Sequence, residues 1–293
     1  MTLIDPTAEA PLGVSVEREA PQGRSALRRL ASRPTFVIGV TIMVFWVVMA
    51  IAWRWITPQD PFATSLDRSV GPGIDHWFGT DRLGRDVFAR VLAGAESVLL
   101  VAPLATLLST VVGSAIGLVA AYRRGWVDEV TMRVLDTFTS FPAIITAVLA
   151  LSLLGRTSLN LILVIAAFFV PLVARTVRAA ALVEREKQYV EAARLRGEGA
   201  AWVLGREILP NIAPTIVVEA TVRLAFAVFA SAALSFLQLG PAIPSPDWGL
   251  SIAVDRAYLQ IAWWTVLFPS LAIASLVISV NLVADNLQEV LDP

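Results

Sequence analysis

The run Tyr189–Asn211, YVEAARLRGEGAAWVLGREILPN, holds six charged side chains between long apolar stretches. Charge at that density has no place in hydrocarbon, so the run lies outside the bilayer and its neighbours read as membrane spans. Tyr189 to Arg196 consists mostly of good helix formers, and Gly197 suits a helix end or a turn. Glu198 or Gly199 through Ile208 can form a second short helix, and Pro210 fits the first turn of the helix after it. The expected shape is a helix–turn–helix elbow on the membrane face, with Ala192 and Ala193 as a smooth side for another protein. Residue types alone leave open whether this loop does more than fix topology.

Composition agrees with the membrane reading. The chain has 293 residues, 56% of them hydrophobic and only 16% charged, with a mean hydropathy of +0.70. A soluble domain has nowhere to put so much apolar surface, so an all-α multispanning protein embedded in a lipid bilayer is expected. The formal net charge of −1 argues against nucleic acid as a partner. Cysteine is absent and His76 is the one histidine, which removes thiolate and histidine-cluster metal sites. Lys187 is the one lysine, in Glu-Lys-Gln, and a phosphate-binding loop needs Gly-Lys-Ser/Thr. If ATP drives this protein, another chain binds it, and no cofactor is expected here.

Along the chain, residues 1–34 read as a tail that collects Arg24, Arg28, Arg29 and Arg33 before the first span, 35–56. That span is about 22 residues, enough for ~30 Å of hydrocarbon. A polar loop follows over 57–92, ending in a segment of alternating charge with Asp81, Arg82, Arg85, Asp86 and Arg90; spacing favours a solvated connector and a capped helix. Further spans are expected at about 98–122, 132–154, 159–180, 208–237 and 263–283, all within a core of 93–287, with a short tail at 288–293. Gly113 and Gly117 suit close helix packing. Pro142 is expected to kink the third span, and Ser158 to cap the fourth. Glu219 and Arg223, four apart, can pair on one face. Lys and Arg concentrate before span one, at Arg123 and Arg124, and in loop 184–207, which puts those segments and both termini in the cytoplasm.

Spacing inside the opening run is specific. Glu191-Ala192-Ala193, three residues, Gly197, and then Ile208-Leu209-Pro210 resembles the EAA loop of permease subunits in bacterial ATP-binding-cassette importers. The resemblance extends to His76-Trp77-Phe78-Gly79-Thr80-Asp81, Gly84-Arg85-Asp86-Val87-Phe88, Leu234-Ser235-Phe236-Leu237, Pro246-Asp247-Trp248-Gly249 and the ending DNLQEVLDP. In that order these look like the dipeptide/oligopeptide/nickel branch, and the long loop after span one is similar to its second, C-type permease. Ser231 and Gln238 depart from the pattern, standing where Glu and Gly are common.

The resemblance implies a type I importer transmembrane fold of an N-terminal helix plus a five-helix core. It implies as partners a B-type permease, two cytoplasmic ATPase subunits carrying ATP and Mg, and an extracytoplasmic solute-binding protein. Glu191, Ala192, Ala193, Gly197, Ile208, Leu209 and Pro210 would form the ATPase-coupling knob. Peptides are the implied cargo, with nickel or another small solute as the alternative. An ion-coupled secondary transporter has few deep ionisable residues to work with, and a membrane enzyme has no nucleophile–base or metal constellation.

Overall fold

The computed structural model describes residues 28–291, so most of the expected N-terminal tail, and Asp292 and Pro293, lie outside the described residues. The first apolar run forms α1, Pro34–Ile56, with Pro34 in the first turn, where its missing N–H has no helical partner to lose. Helix α2, Val87–Arg123, starts well before the expected residue 98, because the Asp86 carboxylate accepts the Ala89 N–H at 2.7 Å and caps it. Next come α3, Gly125–Thr139, and α4, Ala143–Leu154, followed by α5, Ser158–Glu184. Thr157 rather than Ser158 caps α5, accepting the Asn160 N–H at 3.2 Å.

Helix α6, Gln188–Leu195, and the single turn α7, Ala200–Trp202, form the polar loop. A π-helical turn at Val203–Ile208 then runs directly into α8, Leu209–Phe236. Helix α9, Trp248–Asp255, and a 3-10 turn at Arg256–Tyr258 precede α10, Trp264–Leu291. The expected polar loop 238–262 thus contains a helix, and the expected tail at 288–293 is helical to residue 291.

Five of these segments are long and apolar enough to cross a membrane: α1, α2, α5, the unbroken stretch Ala200–Phe236 and α10. The expected third span is different. It is broken into α3 and α4, bent by 84°, where a kink was expected. Pro142 disfavours helix at Phe141 before it, and the Ser140 and Thr139 hydroxyls both take up the Asp136 carbonyl that the broken ladder frees.

Small residues set the helix contacts. A Cβ on Gly113 would lie 2.7 Å from Val173 Cβ, and one on Gly117 would lie 2.5 Å from the Ala174 carbonyl, so α2 and α5 pack backbone to backbone. Helix α1 lies along α10 in the same way, with Gly39 against Ser279 and the Trp46 indole donating to Ser275 Oγ at 2.9 Å. Arg33, just before α1, pairs with Glu289 near the end of α10. The Trp53 indole at the end of α1 donates to Glu96 near the start of α2, so α1 and α2 run antiparallel.

At the end of the bundle where α1 stops, residues 57–86 and α9 build a cap. Its charges are buried rather than solvated. Arg85 donates to Asp81 at 2.6 Å, His76 lies 2.9 Å from Asp86, and Arg90 donates to the carbonyls of Pro61 and Ser245 at 3.1 and 2.9 Å. Two indoles fasten cap to bundle: Trp248 donates to the Val91 carbonyl at 2.7 Å, and Trp264 to that of Thr80 at 3.0 Å. The expected solvated connector is therefore a packed, hydrogen-bonded lid on the helix bundle.

Candidate functional site

Loop 185–208 lies at the opposite end of the bundle. Helix α5 ends at Glu184, whose buried carboxylate accepts from the Tyr189 hydroxyl and lies 2.8 Å from Lys187 Nζ. Burial, then the bond to Glu184, pushes the Tyr189 phenol above its ordinary range, so it acts as a fixed donor. Arg185 leaves the end of α5 sideways and donates to the last carbonyls of α2, Ala121 and Tyr122, at 2.6 and 2.8 Å. Those carbonyls have no intrahelical partner, so a guanidinium there completes the helix end. Arg194 stacks its guanidinium over the Tyr122 ring at 5.1 Å. Arg124 pairs with Glu186. Together these contacts hold the elbow to α2 as well as to the helices on either side of it.

The end of α6 is built from backbone alone. The Gly197 N–H donates to the Arg194 carbonyl at 2.9 Å, and the Glu198 N–H to that of Ala193 at 3.3 Å. This pair of bonds is a Schellman ending, which needs a left-handed residue, and Gly197 supplies it at φ +84°. A Cβ on Gly197 would meet nothing within 4 Å. The expectation of a turn holds, then, but within this chain the glycine answers to φ and to no close approach.

The seven residues expected to form the knob divide into two sets. Glu191, Ala192, Gly197, Leu209 and Pro210 are exposed, whereas Ala193 and Ile208 are fully buried. Successive helix positions point about 100° apart. Ala193 shares a face with Val190, three residues earlier, and both sit in a cluster with Leu118, Val173, Val177, Val203 and Ile212. The smooth outer side expected of the Ala pair therefore belongs to Ala192 alone. Beside it stands Leu195, 83% exposed, which spacing did not single out. Nor could spacing reveal Arg185 and Arg194, since their partners lie some 60 residues earlier on α2.

The second half of the elbow is also different from expectation. In place of a separate short helix, α7 and the π-turn are the first turns of the rod that becomes α8. Leu209 N–H reaches back to the Leu204 carbonyl, one residue farther than an α-helix allows. Pro210 has no N–H to donate, and the Glu207 carbonyl is taken by the Asn211 amide at 2.6 Å. Arg196 lies 3.6 Å from Glu207 and bridges the two limbs of the elbow. Elsewhere Glu219 and Arg223 do pair, at 2.6 Å. Among the described residues no group of three metal-ligating side chains forms.

Comparisons with known proteins agree with this arrangement. Residues 113–293 match the model of the binding-protein-dependent transport system inner membrane component, and residues 21–72 match the N-terminal transmembrane domain of oligopeptide transport permease C. A Brucella suis protein named as a peptide transport system permease is 41% identical over 91% of this chain and 90% of its own length. The dipeptide transport system permease protein DppC of Alkalihalophilus pseudofirmus is 34% identical over 92% and 89%. The glutathione transport system permease protein GsiD of Escherichia coli is 37% identical over 91% and 88%. With its multispanning helical bundle and a loop carrying Glu191-Ala192-Ala193 and Gly197, the chain belongs to the family of binding-protein-dependent transport system inner membrane components.

Proposed function

We propose that this chain is one of two permease subunits of an ATP-driven importer for short peptides, coupled to a cytoplasmic ATPase through loop 185–208. The observation that carries the reading is the division of that loop into two faces. Its inner face is locked to α2 and α5 by the Val190–Ala193–Val203–Ile208 cluster, while Glu191, Ala192 and Leu195 stand exposed beside a Gly197 with open space around it. A loop serving only topology needs no such rigid backing. The relatives' names support peptides over nickel or another solute as cargo.

In this reading ATP and Mg bind to two partner ATPase subunits. Closure of the ATPase pushes α6, and the push reaches α2 through Arg185 and Arg194 and α8 through the unbroken 200–236 stretch. The helices then open toward a loaded solute-binding protein on the other side, and a B-type permease supplies the second half of the path. Orientation follows from Arg123, Arg124, Arg185, Lys187 and Arg196 clustering at the loop end, which places that end in the cytoplasm. Because α1 begins and α2 and α5 both finish at this end, the bent pair α3–α4 carries the chain across, and the spans number six.

The test is Gly197→Asp in the assembled transporter. Membrane abundance should stay near wild type, while substrate uptake and ATP hydrolysis stimulated by the binding protein should both fall to background. Normal uptake with the ATPase still co-purifying would sink the coupling role.

A further inference from the structure

Arg223 lies at the midpoint of α8, Leu209–Phe236, and so near the middle of the bilayer. Its Nε donates to Glu219 at 2.6 Å, and the other Glu219 oxygen accepts from Thr176 at 3.3 Å. The carboxylate is thereby engaged on both oxygens. A guanidinium has five N–H groups, and Nε accounts for one. Among the described residues the two terminal amino groups of Arg223 have no hydrogen-bond partner, and neither is sealed from the surface.

A charged donor at this depth does not face lipid; it faces a bundle interior or a watered path. The flat guanidinium is held between the rings of Phe169 and Phe226, at 6.0 and 5.7 Å, so its free edge is aimed rather than mobile. Next to it, toward the end of α8 nearer the cap, is an apolar cleft of about 170 Å³ lined by Ile165, Phe168, Phe169, Phe229, Ala233 and Leu237. Phe169 borders both. The two features make one amphipathic site: a bidentate donor at one end and an aromatic-walled slot at the other.

We infer that Arg223 is a substrate subsite of the translocation path, where its terminal amino groups take the free carboxylate of a passing peptide while the Phe168–Phe229 cleft takes an apolar side chain. Charge complementarity selects this occupant, because the open donors fit the planar carboxylate fork and Glu219 already neutralises only part of the guanidinium's bonding. The site rests on the peptide reading above and adds to it a requirement for a free C-terminus.

The experiment uses the whole transporter, purified through a tag on this chain and placed in nanodiscs without solute-binding protein. Binding of radiolabelled alanyl-phenylalanine and of its C-terminal amide is measured by scintillation proximity, in nucleotide-free and vanadate-trapped states. Wild type should hold the acid about tenfold or more tightly than the amide in at least one state. Arg223→Gln should bring the acid down to the amide's level and leave the amide unchanged; Arg223→Lys should fall between, since a lysine keeps charge and loses the fork. Subunit stoichiometry and basal ATP hydrolysis should not move.

Equal binding of acid and amide by wild type overturns the site. So does an Arg223→Gln variant that weakens both ligands equally or loses a subunit, which would make Arg223 a contact to the second permease. Uptake of alanyl-phenylalanine by proteoliposomes supplied with binding protein is run in parallel. Its absence in wild type overturns the peptide reading together with the site, whereas uptake without acid–amide discrimination overturns the site alone.

Discussion

The two ends of the bundle use glycine and charge in opposite ways. In the cap and the helix ends beneath it, glycines are there because nothing else fits: a Cβ on Gly94 would lie 2.5 Å from the Trp248 ring, and one on Gly249 would lie 2.3 Å from the Ala232 carbonyl. In the loop, Gly197, Gly199 and Gly205 have no neighbour within 4 Å. Charges follow the same division. Asp81, Arg85, Asp86 and Arg90 are buried with named partners, whereas Glu191, Arg196 and Arg206 are exposed. One end is closed on itself; the other is finished only on its inner side. A surface built to be completed by another molecule has that character, and a structural lid does not.

Breaking the cap should cost most. Trp248 is fully buried, donates to Val91 and meets Trp46 edge-on at 4.8 Å. Trp248→Ala should destabilise by about 3–5 kcal/mol, read as a drop in the unfolding midpoint of the detergent-solubilised protein. A change under about 1 kcal/mol would mean the cap is not a packed unit.

A paired glycine test sharpens the contrast. Gly94→Ala should lose about 1–3 kcal/mol to overpacking, because its obstacles are a ring edge and the Pro246 carbonyl. Gly205→Ala, in helix with open space, should be neutral or stabilise by up to about 1 kcal/mol. The same measurement on both variants decides, and equal effects would erase the distinction between the two ends.

The smallest effect concerns pH. Burial, with Asp81 adding to it, raises the Asp255 carboxyl from 3.8 to about 6, and its partner Arg82 is a distant 3.8 Å away. The folded state then holds this proton more tightly than the unfolded one. Stability from this group therefore falls as pH rises from about 4 to 6, and the full cost is present above that. Amide exchange in α9, corrected for its intrinsic pH dependence, should be slower at pH 5 than at pH 7, and Asp255→Asn should flatten the difference. Exchange that is faster at pH 5 in the native protein would reverse the sign and exclude this account.

How much of this was legible beforehand depends on the range of the interaction. Spans α1, α2, α5, α8 and α10 follow from local hydropathy, and the Gly113/Gly117 contact from a four-residue spacing. The break at Pro142 was legible as a disturbance, but its 84° angle is set by packing. The cap was misread because alternating charges at 81–90 look like a solvated segment. Their burial comes from partners such as the Ser245 carbonyl, some 155 residues away from Arg90. The coupling motif was read correctly as a unit, yet Ala192 and Ala193 could not be assigned to outside and inside without the α2–α5 surface. Gln238, noted as standing where glycine is common, is indeed held at φ +61°, so that departure had a backbone meaning.

The π-turn before α8 has one more consequence, and it concerns phase. In an unbroken α-helix Val203 would share its face with Glu207; the wide turn instead lines up Val203, Ile208 and Ile212, all buried. One surplus residue thus rotates everything downstream by roughly a quarter-turn or more relative to the loop. Removing any one residue between 203 and 208 would restore regular geometry and point Arg223 and its aromatic neighbours in another direction. The loop and the membrane-depth arginine are therefore indexed to each other by a single residue of helical register.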